Sequence, residues 1–224
     1  MFTLSEVVPW GRSFDEYGRM FALSAADLEG RVLGCGDGPA SFNAEAAARG
    51  HRVVSCDPLY QFDAVEIRTR IAETTPIVLE QTRRNAERFV WSSPRSIDEL
   101  AEWRQSAMAR FLDDYANGAN GRYVAAALPD LPFARGTFDL ALCSHFLFLY
   151  SAQHSEQFHI AALRELLRVA REIRVFPLLD LNAALSAHLG PATDVLRTDG
   201  YTVTIERVPY EFQRGGHEML RVFR

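Results

Sequence analysis

The sequence predicts an α/β fold on a mostly parallel sheet, and three observations carry that prediction. Short apolar runs at 31–34, 52–56 and 138–143 have the length and composition of buried strands, and stretches with helical spacing separate them. The first run breaks off in a glycine cluster, Gly34-Cys35-Gly36-Asp37-Gly38, before a helix-like stretch at 40–49. The chain closes on two strand-like runs, 201–208 and 219–223, joined by a turn, which reads as an antiparallel hairpin.

Taken in order, Phe14, Tyr17, Phe21 and Leu23 lie at helical spacing and place one or two helices before strand one, over 14–28. Strand two ends on Asp57. The next good strand, 122–126, begins only after about sixty residues where a parallel sheet needs one crossover helix. This insert, about 61–121, reads as helical. One segment covers 64–73, a second covers 77–91 and is opened by Pro76, and a third starts at the Ser96-x-x-Glu99 capping box and stops at Asn117-Gly118. Its Arg and Glu side chains, many at i,i+4, read as a solvated face. Strand four is 138–143, an amphipathic helix spans 156–170, strand five is 172–176, and a further helix lies near 192–197. With the hairpin this makes a seven-stranded sheet in a single domain, 1–224, with helices on both faces. The insert emerges beside the carboxyl edge of the sheet, where ligands bind in such folds, so it reads either as a lid or as a dimer interface.

Composition narrows the function. With 48% hydrophobic residues, 224 residues are enough for a full core. The net charge of −5 argues against a nucleic-acid partner. All 24 basic residues are arginine, which excludes a Schiff-base or phosphate-loop lysine. The 3 cysteines, Cys35, Cys56 and Cys143, stand near strand ends without metal-ligand spacing and read as reduced, packed thiols. The first residues lack a signal-peptide pattern, and the apolar stretch 138–150 is too short to span a bilayer, so a cytoplasmic protein is expected.

The order strand, glycine loop, helix, strand, acid is the arrangement that cradles an adenosine-containing cofactor. Glycine lets the backbone approach the ligand, and Asp57 can accept both ribose hydroxyls. The dinucleotide pattern Gly-x-Gly-x-x-Gly is absent, because Pro39 occupies its third glycine position. With the Gly34-x-Gly36-x-Gly38 loop, Asp57, Leu131-Pro132-Phe133, Phe138-Asp139-Leu140 and the final strand pair, the chain resembles the class I S-adenosylmethionine-dependent methyltransferases, in their small-molecule, methyltransferase type 11-like group. The resemblance covers most of 30–224 outside the insert. It implies a Rossmann-like sheet with an antiparallel last strand, S-adenosylmethionine as cofactor, a small-molecule methyl acceptor, and a monomer or homodimer.

By that resemblance Gly34, Cys35, Gly36, Gly38, Asp57, Pro58, Ala127, Leu128 and Ser144 are the expected cofactor contacts. Two positions depart from the family pattern. Val32 stands where an acid commonly precedes the loop, and Ala127 stands where a carboxylate commonly meets the adenine amino group. A protonated acceptor needs a base, and His145, just beyond strand four, is the first candidate. Tyr210 and His217, in the turn before the last strand, are the next, with Tyr150 and Glu211 behind them. Arg12 and Tyr17, in the N-terminal segment, read either as folding over the methionine carboxylate or as simple packing residues, and His154 and His159 read as surface or boundary residues. Phe146, Phe148, Tyr150 and Phe212 are consistent with a small-molecule acceptor that has an apolar or aromatic portion. No base-flipping motif follows strand four and no acidic cluster suggests a magnesium site. The competing readings are a cofactor-binding protein without catalysis, acting as a regulator or scaffold, and a nicotinamide-dependent oxidoreductase. The glycine spacing and the final hairpin oppose the second.

Overall fold

The computed structural model describes residues 8–117 and 121–224. A seven-stranded sheet has the order β3-β2-β1-β4-β5-β7-β6. Its strands are β1 Arg31–Cys35, β2 Arg52–Cys56, β3 Tyr123–Val124, β4 Phe138–Ser144, β5 Ala170–Phe176, β6 Thr202–Arg207 and β7 Glu218–Phe223. The first five pair in parallel, and β7 runs antiparallel to both β5 and β6. This is the expected architecture. The strand order reverses between β1 and β4, which opens a crevice beyond their carboxyl ends, the place where open α/β sheets bind ligands.

Helices cover both faces: α1 Phe14–Met20, α2 Phe42–Ala48, α3 Ala64–Arg84, α4 Ile97–Ala116, α5 Glu156–Val169 and α6 Leu189–Thr198. Period-two alternation in β4 sends Ala141 and Cys143 into the cluster that includes Leu163, Leu166 and Leu196 of α5 and α6, which Phe138 joins from the start of the strand. Leu140 and Leu142 point the other way, among Tyr17, Phe21 and Phe42. The three cysteines stand side by side on β2, β1 and β4, since Cys35 is in register with both Cys56 and Cys143; all are free and buried.

Three expectations about local structure are corrected. Pro76 does not open a helix but lies inside α3, which runs unbroken from Ala64 to Arg84. An interior proline costs about 3 kcal/mol. Here Ile67, Thr74, Val78 and Thr82 form one buried stripe at helical spacing on both sides of it, and the Thr74 and Thr75 hydroxyls donate to the carbonyls of Arg70 and Ile71. Second, β3 has two residues where five were expected, because Ala126, Ala127 and Leu128 leave the ladder to line a cavity. Third, the Ser96 box is half formed. The Ser96 hydroxyl accepts from Glu99 N, but the Glu99 carboxylate accepts from Arg95 N. Full boxes occur instead at Ser13/Glu16 and Asp63/Glu66. Asn117 caps α4 as expected; Gly118 and the N-terminal residues 1–6 lie outside the described residues.

The insert is fastened to the sheet at both ends. Next to β3, the rings of Tyr60, Phe111, Tyr115 and Tyr123 pack with centroids 5.2 to 5.9 Å apart. At the other end residues 88–90 pair with 212–214 of the hairpin turn, with Val90 N donating to Phe212 O and Arg214 N to Arg88 O, both at 2.8 Å. Among the described residues no helix is long and apolar enough to cross a membrane.

Candidate active site

A cavity of about 590 Å³ lies over the carboxyl ends of β1, β2 and β4. Each strand contributes through the loop that follows it: Cys35 to Gly38 after β1, Asp57 to Leu59 after β2, Ala126 to Leu128 after β3, and Ser144 to Phe146 after β4. The N-terminal segment (Val8, Trp10, Arg12, Tyr17), the insert (Phe62, Ile67, Val78, Phe89) and the hairpin turn (Tyr210, Phe212) complete the wall.

The glycine loop owes its shape to two carboxylates. Gly36 and Gly38 have φ of +69° and +52°, a region that side chains disfavour. A Cβ on Gly36 would lie 3.1 Å from the Phe146 side chain, while one on Gly38 would face open space. Asp57 grips this loop from β2: Oδ2 accepts from Gly38 N at 2.9 Å and Oδ1 from Leu59 N at 2.8 Å. The Tyr60 hydroxyl donates to Gly38 O at 2.7 Å. Each Asp57 oxygen retains acceptor capacity toward the cavity that it lines.

Asp37, between the two glycines, has a role that sequence reasoning missed. Its carboxylate folds back over Gly34, where a Cβ would sit 1.9 Å from Oδ2. Oδ1 accepts from the Tyr17 hydroxyl at 2.7 Å and Oδ2 from the Ser55 hydroxyl at 2.6 Å. Gly34 is therefore not in the cavity lining; its missing side chain makes room for Asp37. Burial raises the Asp37 pKa to about 7, against the opposing pull of the Ser55 and Tyr17 hydrogen bonds. The available signal was an acid inside a glycine loop, combined with Val32 where an acid was expected.

At the end of β4, His145 adopts φ +53°, a strained conformation for a non-glycine residue, and its backbone N donates to Phe176 O. Its Nδ1 lies 2.9 Å from the Ser144 hydroxyl. Burial, then the charges of Arg12 and Arg104, hold the imidazole pKa well below its ordinary value, so the ring is neutral at pH 7. If Nδ1 carries the proton and donates to Ser144, Nε2 is left as a free acceptor.

Next to this wall lies an ion pair between Glu16 of α1 and Arg104 of α4, 0% and 3% exposed at Arg104 and Glu16. It is bidentate, at 2.7 and 2.8 Å, and the Tyr210 hydroxyl donates to the same carboxylate at 3.1 Å. Burial by itself would raise the Glu16 pKa, but the charge and hydrogen bonds of Arg104 outweigh it and bring the pKa down to about 2. Arg104 gave no sequence signal, since a lone arginine on an amphipathic helix reads as exposed.

The structure thus brings Cys35, Gly36, Gly38, Asp57, Pro58, Ala127, Leu128, Ser144, His145 and Tyr210 to one cavity. It leaves out Gly34 and also His217, whose Nδ1 faces Glu211 at 3.7 Å. Tyr210 offers its ring to the cavity while its hydroxyl is engaged by Glu16. Phe146, Tyr150 and Phe212 line the cavity, but Phe148 is core. His159, expected near the surface, is fully buried, with its ring nitrogens 2.8 and 2.9 Å from the carbonyls of Ser155 and Leu147.

Sheet order, the position of the glycine loop and the closing hairpin define a class I methyltransferase fold. No family model matches the chain. It belongs to the same family as the uncharacterized protein MJ0045 of Methanocaldococcus jannaschii, with which it is 32% identical over 222 residues, 99% of this chain and 98% of that one. Among solved structures it is similar to magnesium protoporphyrin IX methyltransferase of Synechocystis PCC 6803 with bound SAM, at 13% identity, 89% and 72% coverage of the two chains and a TM-score of 0.48. It is also similar to a SAM-dependent methyltransferase, possible histamine N-methyltransferase, of Thermotoga maritima, at 12% identity, 93% and 86% coverage and a TM-score of 0.43. At these identities no residue role passes from those proteins to this chain.

Two outcomes follow from the buried charges. The raised pKa of Asp37 means that the folded state holds its proton more tightly than the unfolded state does between about pH 4 and pH 7. The contribution of this group is therefore full below pH 4 and is lost as pH rises through 7. Asp37→Asn should abolish that decline in thermal-melt midpoints measured from pH 5 to 8; an unchanged profile would show that Asp37 titrates normally. Arg104→Ala should cost about 3–5 kcal/mol in urea unfolding by stranding Glu16, whereas Glu16→Leu with Arg104→Met should recover most of it.

Proposed function

We propose that the protein is an S-adenosylmethionine-dependent methyltransferase acting on a small-molecule acceptor. The observation that carries this reading is the meeting, at the switch point of the sheet, of a side-chain-free loop at Gly36 and Gly38 with the Asp57 carboxylate, both facing one cavity. These residues fit the cofactor. Asp57 is placed to accept the ribose hydroxyls, Pro58 and Leu59 to pack on the adenine, and the backbone at Ala127 and Leu128 to meet its edge. The open side of Gly38 leaves space for close approach, and Ser144 and His145 face the methionine end. When bound, the cofactor supplies an electrophilic sulfonium methyl group for in-line displacement.

The remaining work falls to the protein and is mainly positioning. The apolar wall of Trp10, Phe89, Leu181 and Phe212 holds a small molecule against the β4 end and keeps water out. His145, neutral and strained into the cavity, is our candidate for taking a proton from the acceptor's hydroxyl or amine. We read the insert as the outer wall of this pocket. Its residues Phe62, Ile67, Val78 and Phe89 line the cavity, and its pairing with the hairpin turn keeps that wall in place.

Calorimetric titration with S-adenosylhomocysteine should show one site per chain. Asp57→Ala and Gly36→Val should each abolish measurable binding, the first through the ribose and the second because a side chain there meets Phe146. Retained affinity in both variants would remove the proposed site. Once an acceptor is in hand, His145→Ala should lower turnover about 10²- to 10⁴-fold with cofactor affinity nearly intact. Because the neutral ring is the working form and its pKa is low, the wild-type rate should stay level across about pH 6 to 8 instead of rising with a histidine-like midpoint. Unchanged turnover in the variant would make His145 a wall residue.

A further inference from the structure

Hydroxyl side chains line the cavity at Tyr17, Thr82, Ser144, Tyr150 and Tyr210. Most are committed to the protein. Tyr17 donates to Asp37 Oδ1, Thr82 to Val78 O and Tyr210 to Glu16 Oε1, while Ser144 faces His145 Nδ1. Tyr150 differs. Its hydroxyl oxygen accepts from Val8 N at 3.4 Å, and no described residue accepts its proton. The residue is only 3% exposed, so this donor is buried on the cavity wall. Burial pushes its pKa above the ordinary value, against the opposing pull of the Val8 bond and the Arg12 charge. The hydroxyl therefore stays protonated at pH 7 and acts as a donor, not as a base. A buried donor left unpaired is costly, so a ligand atom that accepts from it is favoured.

Tyr150 stands between the β4 end of the cavity and its apolar end. Its backbone N donates to Phe146 O at 3.1 Å, about one turn beyond His145. Val8, bonded to its hydroxyl, belongs with Trp10, Phe89 and Leu181 to the apolar cluster built on Val78. Leu181 N in turn donates to Leu149 O at 3.1 Å. All these apolar side chains line the cavity. On the other side, His145 Nδ1 is turned to Ser144, and no described residue bonds Nε2. The cavity thus offers an unpaired donor and an unpaired acceptor beside one apolar wall.

We propose that the methyl acceptor is an apolar molecule bearing a hydroxyl, and that Tyr150 donates a hydrogen bond to that hydroxyl's oxygen while His145 takes its proton. The assignment rests on the methyltransferase reading above and deepens it. The count of lone pairs selects oxygen over nitrogen. A hydroxyl oxygen carries one proton and two lone pairs. One pair accepts from Tyr150, and the other attacks the methyl carbon as the proton passes to His145 Nε2. A neutral amine has a single lone pair, and one that accepts from Tyr150 has none left to attack. In the transfer a C–O bond forms as the methyl–sulfur bond breaks. The electron pair of the broken bond stays on sulfur as a thioether, and the proton on His145 then leaves to solvent.

The test is equilibrium dialysis with 2-naphthol, 2-naphthylamine and 2-methylnaphthalene, probes of one shape that carry a hydroxyl, an amino or a methyl group. Each is applied to the wild type, Tyr150→Phe and His145→Ala, all saturated with S-adenosylhomocysteine. The wild type should bind the naphthol most tightly and the methyl probe least. Tyr150→Phe should weaken the naphthol about 2- to 10-fold, the size of one neutral hydrogen bond, and leave the methyl probe unchanged. His145→Ala should weaken naphthol and naphthylamine alike. The readout is the ratio of naphthol to methyl-probe affinity within each protein, so a general loss of folding, which lowers all three probes together, does not mimic it. A ratio that Tyr150→Phe leaves unchanged overturns the proposal. So does a wild type that binds S-adenosylhomocysteine but does not prefer the naphthol to the methyl probe. Failure of the wild type to bind S-adenosylhomocysteine would instead overturn the cofactor reading itself.

Discussion

Glu16 and Arg104 are 88 residues apart in sequence, and the walls of the cavity depend on their meeting. Glu16 belongs to the first helix, Arg104 to the second long helix of the insert, and Tyr210, on the same carboxylate, to the hairpin turn. Each segment would otherwise meet the glycine loop on its own terms. With both charges almost wholly out of water, the geometry has to be right, because either partner alone would be an uncompensated buried ion. The pair therefore fixes an arrangement more than it adds stability, and the arrangement it fixes brings Arg12, Tyr17 and Tyr210 to one cavity.

Within that frame, two aspartates of similar sequence appearance do opposite work. Asp57 ends a strand, braces the glycine loop through backbone N–H groups and keeps acceptor capacity toward the cavity. Asp37 turns inward, fills the space left by Gly34 and ties the loop to Tyr17 and Ser55. One glycine of the loop thus serves an internal side chain, while the other two serve the cavity. The acid that such loops commonly carry two residues upstream is replaced here by Val32, which is fully buried in the core.

The electrostatics of the site follow from the same closure. Walls of Trp10, Phe89, Phe146 and Phe212 lower the local dielectric, so nearby charges act strongly on one another. His145 is held neutral by burial and by two guanidinium groups. The insert contributes wall and not only bulk, since its Phe89 ring stacks on Phe212, with centroids 4.8 Å apart, and so joins it to the turn before the last strand.

Much of this was legible in the sequence because it is written in neighbouring residues. Strand-length apolar runs, glycines where φ must be positive, an acid closing the second strand and a final hairpin are local demands of backbone geometry. They determined the sheet, the loop and Asp57. The continuity of α3 through Pro76, the shortness of β3, the inward turn of Asp37 and the partnership of Arg104 were not legible in this way. In each of these, burial among segments distant in the chain outweighed the local preference. The sequence by itself therefore determined the fold and the place of the cofactor loop. Tertiary structure decided which charges are buried, which are neutral and which face the ligand, because a side chain's charge state depends on a solvent-free surrounding that does not exist until distant segments enclose it.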